Sequence, residues 1–300
     1  MTAPLTILVA SDLSKKSALA MKRAAALADE LGARLELLHV VEETLLDYLL
    51  PQKQTDHSIS ELIERASTEL QNQAEREIPE NVAYQCRIET GKAFLTIIRT
   101  ARQMEADLIV VAARGRHSLR NLLIGTTTER IVRNGGLPVL VVKKAPRTSY
   151  RRVLVPTDFS AGAGHALSTV LQLAPDAQID LLHVYTLWGE GYLASSPIAD
   201  ADQLRYQREM RSRASSSMAA WLDGMQLGDR RIRQHIRRGR PGALIPKIAK
   251  EMAVDLVAMG TTGRSGLSYI LLGSVAEHAL WQVPCDLLVA RPGGFRFELP

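Results

Sequence analysis

Cysteine is scarce in this 300-residue chain: only Cys86 and Cys285 occur, one in each half. A disulfide-stapled scaffold is not expected, because such scaffolds are short chains dense in paired cysteines. No C-x-x-C or H-x-x-x-H pair offers zinc a ligand set, and both thiols are expected in the cores of apolar strands. No run of 18 apolar residues is present, and the opening MTAPLTILVASD has no basic stretch before its apolar run. Neither a membrane span nor a secretory signal is therefore expected, which makes the cytoplasm the default location. Reaction-specific motifs are missing too. There is no G-x-x-x-x-G-K-[ST], no G-x-S-x-G elbow, and no H-x-G-H or K-M-S-K-S.

What is present is 46% hydrophobic and 23% charged residues, the composition of a globular protein, at a length sufficient for two ordinary domains. The chain repeats once, with a period of about 145 residues. PLTILVASDLSKKSALA at 4–20 matches RRVLVPTDFSAGAGHAL at 151–167, and ARLELLHVVEE at 33–43 matches AQIDLLHVYTL at 177–187. The segment from 89 to 115 matches that from 237 to 263. The polar stretch KAPRTSY near 144–150 marks the boundary. Domains are expected at 1–145 and 150–292, with a tail at 293–300.

In each half, short apolar runs alternate with longer amphipathic segments, the pattern of parallel strands joined by crossover helices. Strands are expected near 5–10, 34–41, 82–88, 107–113 and 138–142, then near 152–156, 178–184, 230–236, 254–259 and 285–290. A helix is expected to begin at Ser14 and end at Gly32, and others lie near 160–174, 201–223, 242–252 and 274–282. Long connections at 43–55 and 186–200 are candidates for pocket covers or surface loops. The fold class is α/β: two tandem Rossmann-like domains, each a five-stranded parallel sheet flanked by helices.

One stretch of each half carries the chemistry. In DLVAMGTTGRSGLSYILLGSVAEHALWQVPCDLLV at 255–289, Gly260, Gly263 and Gly273 precede Ser274. Glycines after a strand let backbone N–H groups approach an anion. Ser274 is expected to cap a helix whose N-terminus favours the same negative charge. Glycines in turns also serve purely steric ends. The first half repeats the spacing with Ala112, Gly115, Gly125 and Thr126.

This G-x2-G-x9-G-[ST] pattern resembles the ATP-binding motif of the universal stress protein family, twice over and along essentially the whole chain. The resemblance implies the adenine nucleotide alpha hydrolase-like fold with strand order 3-2-1-4-5 and ATP, with Mg2+ on its phosphates, as ligand. In the second half, Gly260, Gly263, Arg264 and Ser265 would contact phosphates, and Gly273, Ser274 and Val275 would close on them. Pro156, Thr157 and Asp158 would line the adenosine side, and the backbone at Val184 would pair with adenine. Asp158 could instead cap a helix.

The first-half counterparts are Ser11, Asp12, Val40, Ala112, Gly115, Arg116, Gly125, Thr126 and Thr127. Ala112 departs from the family pattern and adds a Cβ where the motif has glycine. If that glycine needs positive φ or leaves room for a phosphate, the first site is impaired. His39 and His183, which also repeat, are expected as hydrogen-bonded core or rim residues. His117, on the first-half loop, corresponds to Ser265 and so implies no shared mechanism.

The leading function is thus a cytoplasmic, ATP-binding stress-response regulator with at most slow ATP hydrolysis. Two rivals stand beside it. The region from Arg205 to Arg240 holds ten Arg against Glu209, Asp223 and Asp229, either as a solvated face or as a surface for a protein or other polyanion. The second rival is an enzyme acting at a nucleotide α-phosphate. Apolar LPVLVV at 137–142 and CDLLVA at 285–290 are expected to pair, joining the halves as an internal pseudo-dimer and leaving a homodimer of chains open.

Overall fold

A computed structural model describes residues 4–42, 56–115, 124–146, 149–187, 200–225, 227–228, 230–261 and 272–291. The first half runs β1 (Thr6–Ser11), α1 (Lys15–Leu31), β2 (Arg34–Val41), α2 (Asp56–Glu77), β3 (Tyr84–Thr90), α3 (Ala93–Gln103), β4 (Leu108–Ala112), α4 (Thr126–Asn134) and β5 (Val139–Val142). The second repeats it as β6 (Arg152–Pro156), α5 (Ala161–Leu173), β7 (Gln178–Tyr185), α6 (Asp200–Asp223), β8 (Ile232–Arg238), α7 (Pro241–Glu251), β9 (Leu256–Gly260), α8 (Ser274–Gln282) and β10 (Asp286–Ala290).

All ten strands form one sheet in the order β3-β2-β1-β4-β5-β10-β9-β6-β7-β8. Each half is parallel and follows 3-2-1-4-5. The halves meet where β5 pairs with β10 antiparallel, Leu140 opposite Leu288. Local sequence explains the central strands: LIVVA in β4, VLVV in β5 and DLLVA in β10 are buried at every residue, as strands covered on both faces must be. The outermost strands, β3 and β8, are only partly buried and begin two residues later than their apolar character suggests. Val82 packs in the core before β3 begins, which is why the hydrophobic pattern places that edge too early.

Two apolar layers flank the sheet. Met21, Leu70, Leu167 and Met218 bring α1, α2, α5 and α6 onto one face, and Ile97, Ile131, Ile245 and Leu280 bring α3, α4, α7 and α8 onto the other. Helix α1 starts at the capping Ser14, whose hydroxyl accepts from the Lys16 and Ser17 amides, and it ends at Gly32 with φ 61°. Among the described residues no helix is long and apolar enough to cross a membrane.

Both cysteines are free. Cys285 is buried in the core as expected, whereas Cys86 is only half-buried, its Sγ 3.3 Å from Gln71 Oε1. Burial, reinforced by Asp286, pushes the Cys285 thiol up to about 12. At pH 8 it should carry on the order of a thousandfold less thiolate than an unfolded cysteine. Alkylation with iodoacetamide followed by peptide mass analysis should leave Cys285 unmodified in the native protein and modify both cysteines in denaturant. Rapid native labelling of Cys285 would contradict the packing described.

Candidate functional site

Strands β1 and β4 are neighbours in the sheet, yet the helices that follow them pack on opposite faces; β6 and β9 repeat this. Their carboxyl tips therefore part, and a crevice opens at each switch point. The second-half crevice is a cleft of about 300 Å³ lined by Pro156, Thr157, Asp158, Val184, Gly260, Gly273, Ser274 and Val275. The first-half cleft, about 390 Å³, is lined by Ser11, Asp12, Val40, Ala112, Arg114, Gly115, Gly125, Thr126 and Thr127. Gly263, Arg264, Ser265, Arg116 and His117 lie outside the described residues, as do the connections at 43–55 and 188–199.

A tight turn sets each carboxylate. In the second half the Phe159 amide donates to Thr157 Oγ1 at 2.9 Å and the Ser160 amide donates to Asp158 Oδ1 at 3.1 Å. In the first half the Leu13 amide donates to Ser11 Oγ at 3.0 Å and the Ser14 amide to Asp12 Oδ1 at 3.1 Å. Ser160 and Ser14, not the aspartates, are the N-cap residues of α5 and α1. Of the two roles open to Asp158, helix capping is thus taken by its neighbour, and its carboxylate lines the cleft.

These turns carry strain. Phe159 and Leu13 adopt φ of 66° and 61°, a left-handed conformation that costs a side-chain-bearing residue about 1–2 kcal/mol. The repeated histidines brace them. His183 Nδ1 lies 2.8 Å from the Thr157 carbonyl and His39 Nδ1 lies 2.8 Å from that of Ser11. A carbonyl only accepts, so Nδ1 carries the proton in both rings. The Phe159 ring also stacks on His183 with centroids 4.4 Å apart. Both imidazoles therefore position turns, in keeping with their expected structural role.

The opposite wall is a helix start. Contrary to expectation, Ser274 is not the cap of α8. Gly273 is, in an extended conformation (φ −61°, ψ 149°) without a side-chain hydrogen bond, and Gly125 does the same for α4. Glycine has no side chain with which to accept, so the first-turn amides of each helix face the cleft without a capping oxygen. Each glycine N–H is itself engaged, Gly273 with the Thr261 carbonyl and Gly125 with that of Ala113, both at 2.8 Å, which closes the loop ends.

The first motif glycine has a role that its sequence context does not reveal. Among the described residues positive φ is confined, for glycine, to Gly32, Gly91, Gly228 and Gly239, so Gly260 needs no left-handed backbone. A Cβ on Gly260 would instead lie 2.7 Å from the Gly162 carbonyl carbon, at the start of α5. Its glycine is there for close helix–strand packing. At the corresponding place Ala112 is 9% exposed, packed in the core while also lining the first-half cleft. Gly115 is different: a Cβ there would lie 2.6 Å from Asp12 Oδ2, so this glycine lets the loop come against the carboxylate.

The apolar walls went unnamed in the sequence. Leu182, Pro241, Ile245 and Met259 line the second cleft, and Leu38, Ala93 and Ile97 the first. A signal for the helix walls existed in the aligned segments around Gly91 and Gly239. Both glycines adopt positive φ, 132° and 145°, and turn the chain from the third strand into α3 or α7. Together these features define a duplicated, doubly wound α/β protein with a ligand crevice at each switch point.

Comparison with known proteins agrees. The universal stress protein family is matched twice, by residues 5–143 and 149–291, and the chain belongs to this family. The universal stress protein E homolog of Haemophilus influenzae is 29% identical over 199 residues, covering 62% of each chain, so the match spans less than two thirds of that relative. A universal stress protein of Mycolicibacterium smegmatis is 25% identical over 297 residues, 95% of this chain and 97% of its own. The crystal structure of a universal stress protein from Archaeoglobus fulgidus, 21% identical, shares the fold with a TM-score of 0.65 over 96% of this chain and 98% of that one.

Proposed function

We propose that the protein is a cytoplasmic regulator that binds ATP in the second-half cleft, Mg2+ entering with the phosphates. The observation that carries this reading is the convergence, from separate segments, of the Asp158 carboxylate and the uncapped start of α8 on one crevice with apolar walls. The first-turn amides of Ser274, Val275 and Ala276 are suited to phosphate oxygens. Asp158 is suited to ribose hydroxyls, the Val184 backbone to the adenine edge, and Leu182, Ile245 and Met259 to the faces of the base. Gly263, Arg264 and Ser265 are assigned to the phosphates by the family motif. Bound nucleotide would act as a switch for a partner protein, with hydrolysis slow.

The first-half cleft keeps the same carboxylate and uncapped helix, with Ala112 on its wall. A second, weaker nucleotide site belongs to this reading. Calorimetric titration of the full chain with MgATP, MgGTP and Mg2+ alone tests it. Binding of MgATP in preference to MgGTP is expected, with Asp158→Ala weakening the tighter site about tenfold or more, the loss of a charge-assisted hydrogen bond. No heat at millimolar MgATP would overturn the proposal.

A further inference from the structure

The ends of the sheet are built differently. At one end, β3 carries Arg87, which pairs with Glu89 at 3.5 Å and leaves that edge nearly neutral. At the other, the stretch from 230 to 240 holds six arginines and no lysine. The excess of seven positive charges between Arg205 and Arg240 is larger than the +5 of the entire chain. Arg231, Arg233, Arg237 and Arg240 are exposed, and among the described residues no carboxylate forms an ion pair with them.

Register fixes where these side chains stand. Ile232 and Ile236 pack on the layer under α5 and α6, so Arg233, His235 and Arg237 belong to the opposite face. His235 is held by the buried Asp180, Nε2 to Oδ1 2.7 Å, which pins the middle of the strand. Arg233 and Arg237 then share one face of β8, two of the ~6.7 Å two-residue repeats of a strand apart.

We propose that the β8 edge is a docking surface for an acidic, extended polypeptide segment of a partner protein, which adds to the sheet as an eleventh strand. Three observations favour this occupant. Protection of an edge against self-pairing needs only a charge or two, most often lysine, whereas arginine alone is used here, the side chain that grips carboxylate in a planar fork. Among the described residues β8 pairs only with β7, so its outer row of N–H and C=O groups faces no other strand, the Ile236 carbonyl accepting locally from Arg237 Nη1 at 3.1 Å. A nucleic acid strand cannot use that row, because its phosphates are repelled by the carbonyls. A peptide satisfies both kinds of group while setting alternate carboxylates opposite the arginines.

The test uses the full chain and three fluorescent probes of equal formal charge: a peptide of about ten residues alternating Glu and Thr, a peptide of the same composition with its Glu residues in one block, and an oligothymidylate. Fluorescence anisotropy should show the alternating peptide binding about tenfold tighter than the block peptide. The Arg233→Gln/Arg237→Gln variant should lose that binding about tenfold, with its thermal midpoint and its MgATP titration unchanged. Both residues are exposed, and neither lines the cleft. Equal binding of the two peptides, insensitivity to the double substitution, or no binding would overturn the proposal. Tighter binding of the oligothymidylate, lost in the same variant, would overturn it in favour of a nucleic acid. None of these outcomes depends on whether the cleft holds ATP.

Discussion

Asp286→Ala should lower the unfolding free energy by about 3–5 kcal/mol, the cost of stripping the partner from a buried charge. Asp286 is 2% exposed at the start of β10, where the halves meet. It accepts from Tyr150 Oη at 2.7 Å, from Arg23 Nε at 3.2 Å and from the Lys143 amide at 2.9 Å. These donors come from α1, the inter-half linker and the end of β5. Arg23 is 6% exposed and also covers the Tyr150 ring, 4.2 Å from its centroid. Burial, reinforced by the neighbouring Asp286, raises the Tyr150 phenol well above its ordinary value, so it stays a donor.

Removal of the carboxylate takes from the Arg23 guanidinium and the Tyr150 hydroxyl the acceptor they share across the junction. Urea unfolding followed by circular dichroism should show an early midpoint for Asp286→Ala. Asp286→Asn, which keeps an acceptor, should lose less. A variant as stable as the parent would show that the Asp286 contacts do not hold the halves together.

Gly260→Ala should cost about 1–3 kcal/mol by overpacking, because its methyl would meet the backbone of Gly162 rather than a yielding side chain. Relief requires the start of α5 to move, and that helix follows the Asp158 turn directly. Nucleotide affinity in the second cleft should therefore fall along with stability. The mirror substitution, Ala112→Gly, should cost only about 0.5–1 kcal/mol, from backbone entropy and a lost methyl, and should not improve binding in the first cleft. Paired urea titrations and MgATP titrations read both effects. Full stability with loss of binding only would return Gly260 to a direct phosphate role.

These two positions show what the sequence could and could not disclose. The duplication and the β5–β10 junction were legible because each rests on short apolar runs whose burial is visible residue by residue, whereas the strand order was implied by the family resemblance. Edge strands β3 and β8 were harder, since one-sided burial blurs their ends. The Asp286 knot left no trace, because Arg23, Lys143, Tyr150 and Asp286 are joined only by the fold. The cleft was legible as a motif, but not the division of labour inside it. The sequence does not disclose that Gly260 also packs against Gly162, and Ser274 reads as a cap until Gly273 is found in that place. Apolar walls such as Ile245 and Met259 carry no motif.

Hydrogen–deuterium exchange of the full chain with and without saturating MgATP tests the central claim most directly. The account predicts slower exchange of the Ser274, Val275 and Ala276 amides and of the turn from Thr157 to Ser160, with weaker protection at Thr126 and Thr127. Binding of MgATP with unchanged exchange at the start of α8 would place the nucleotide elsewhere and contradict it.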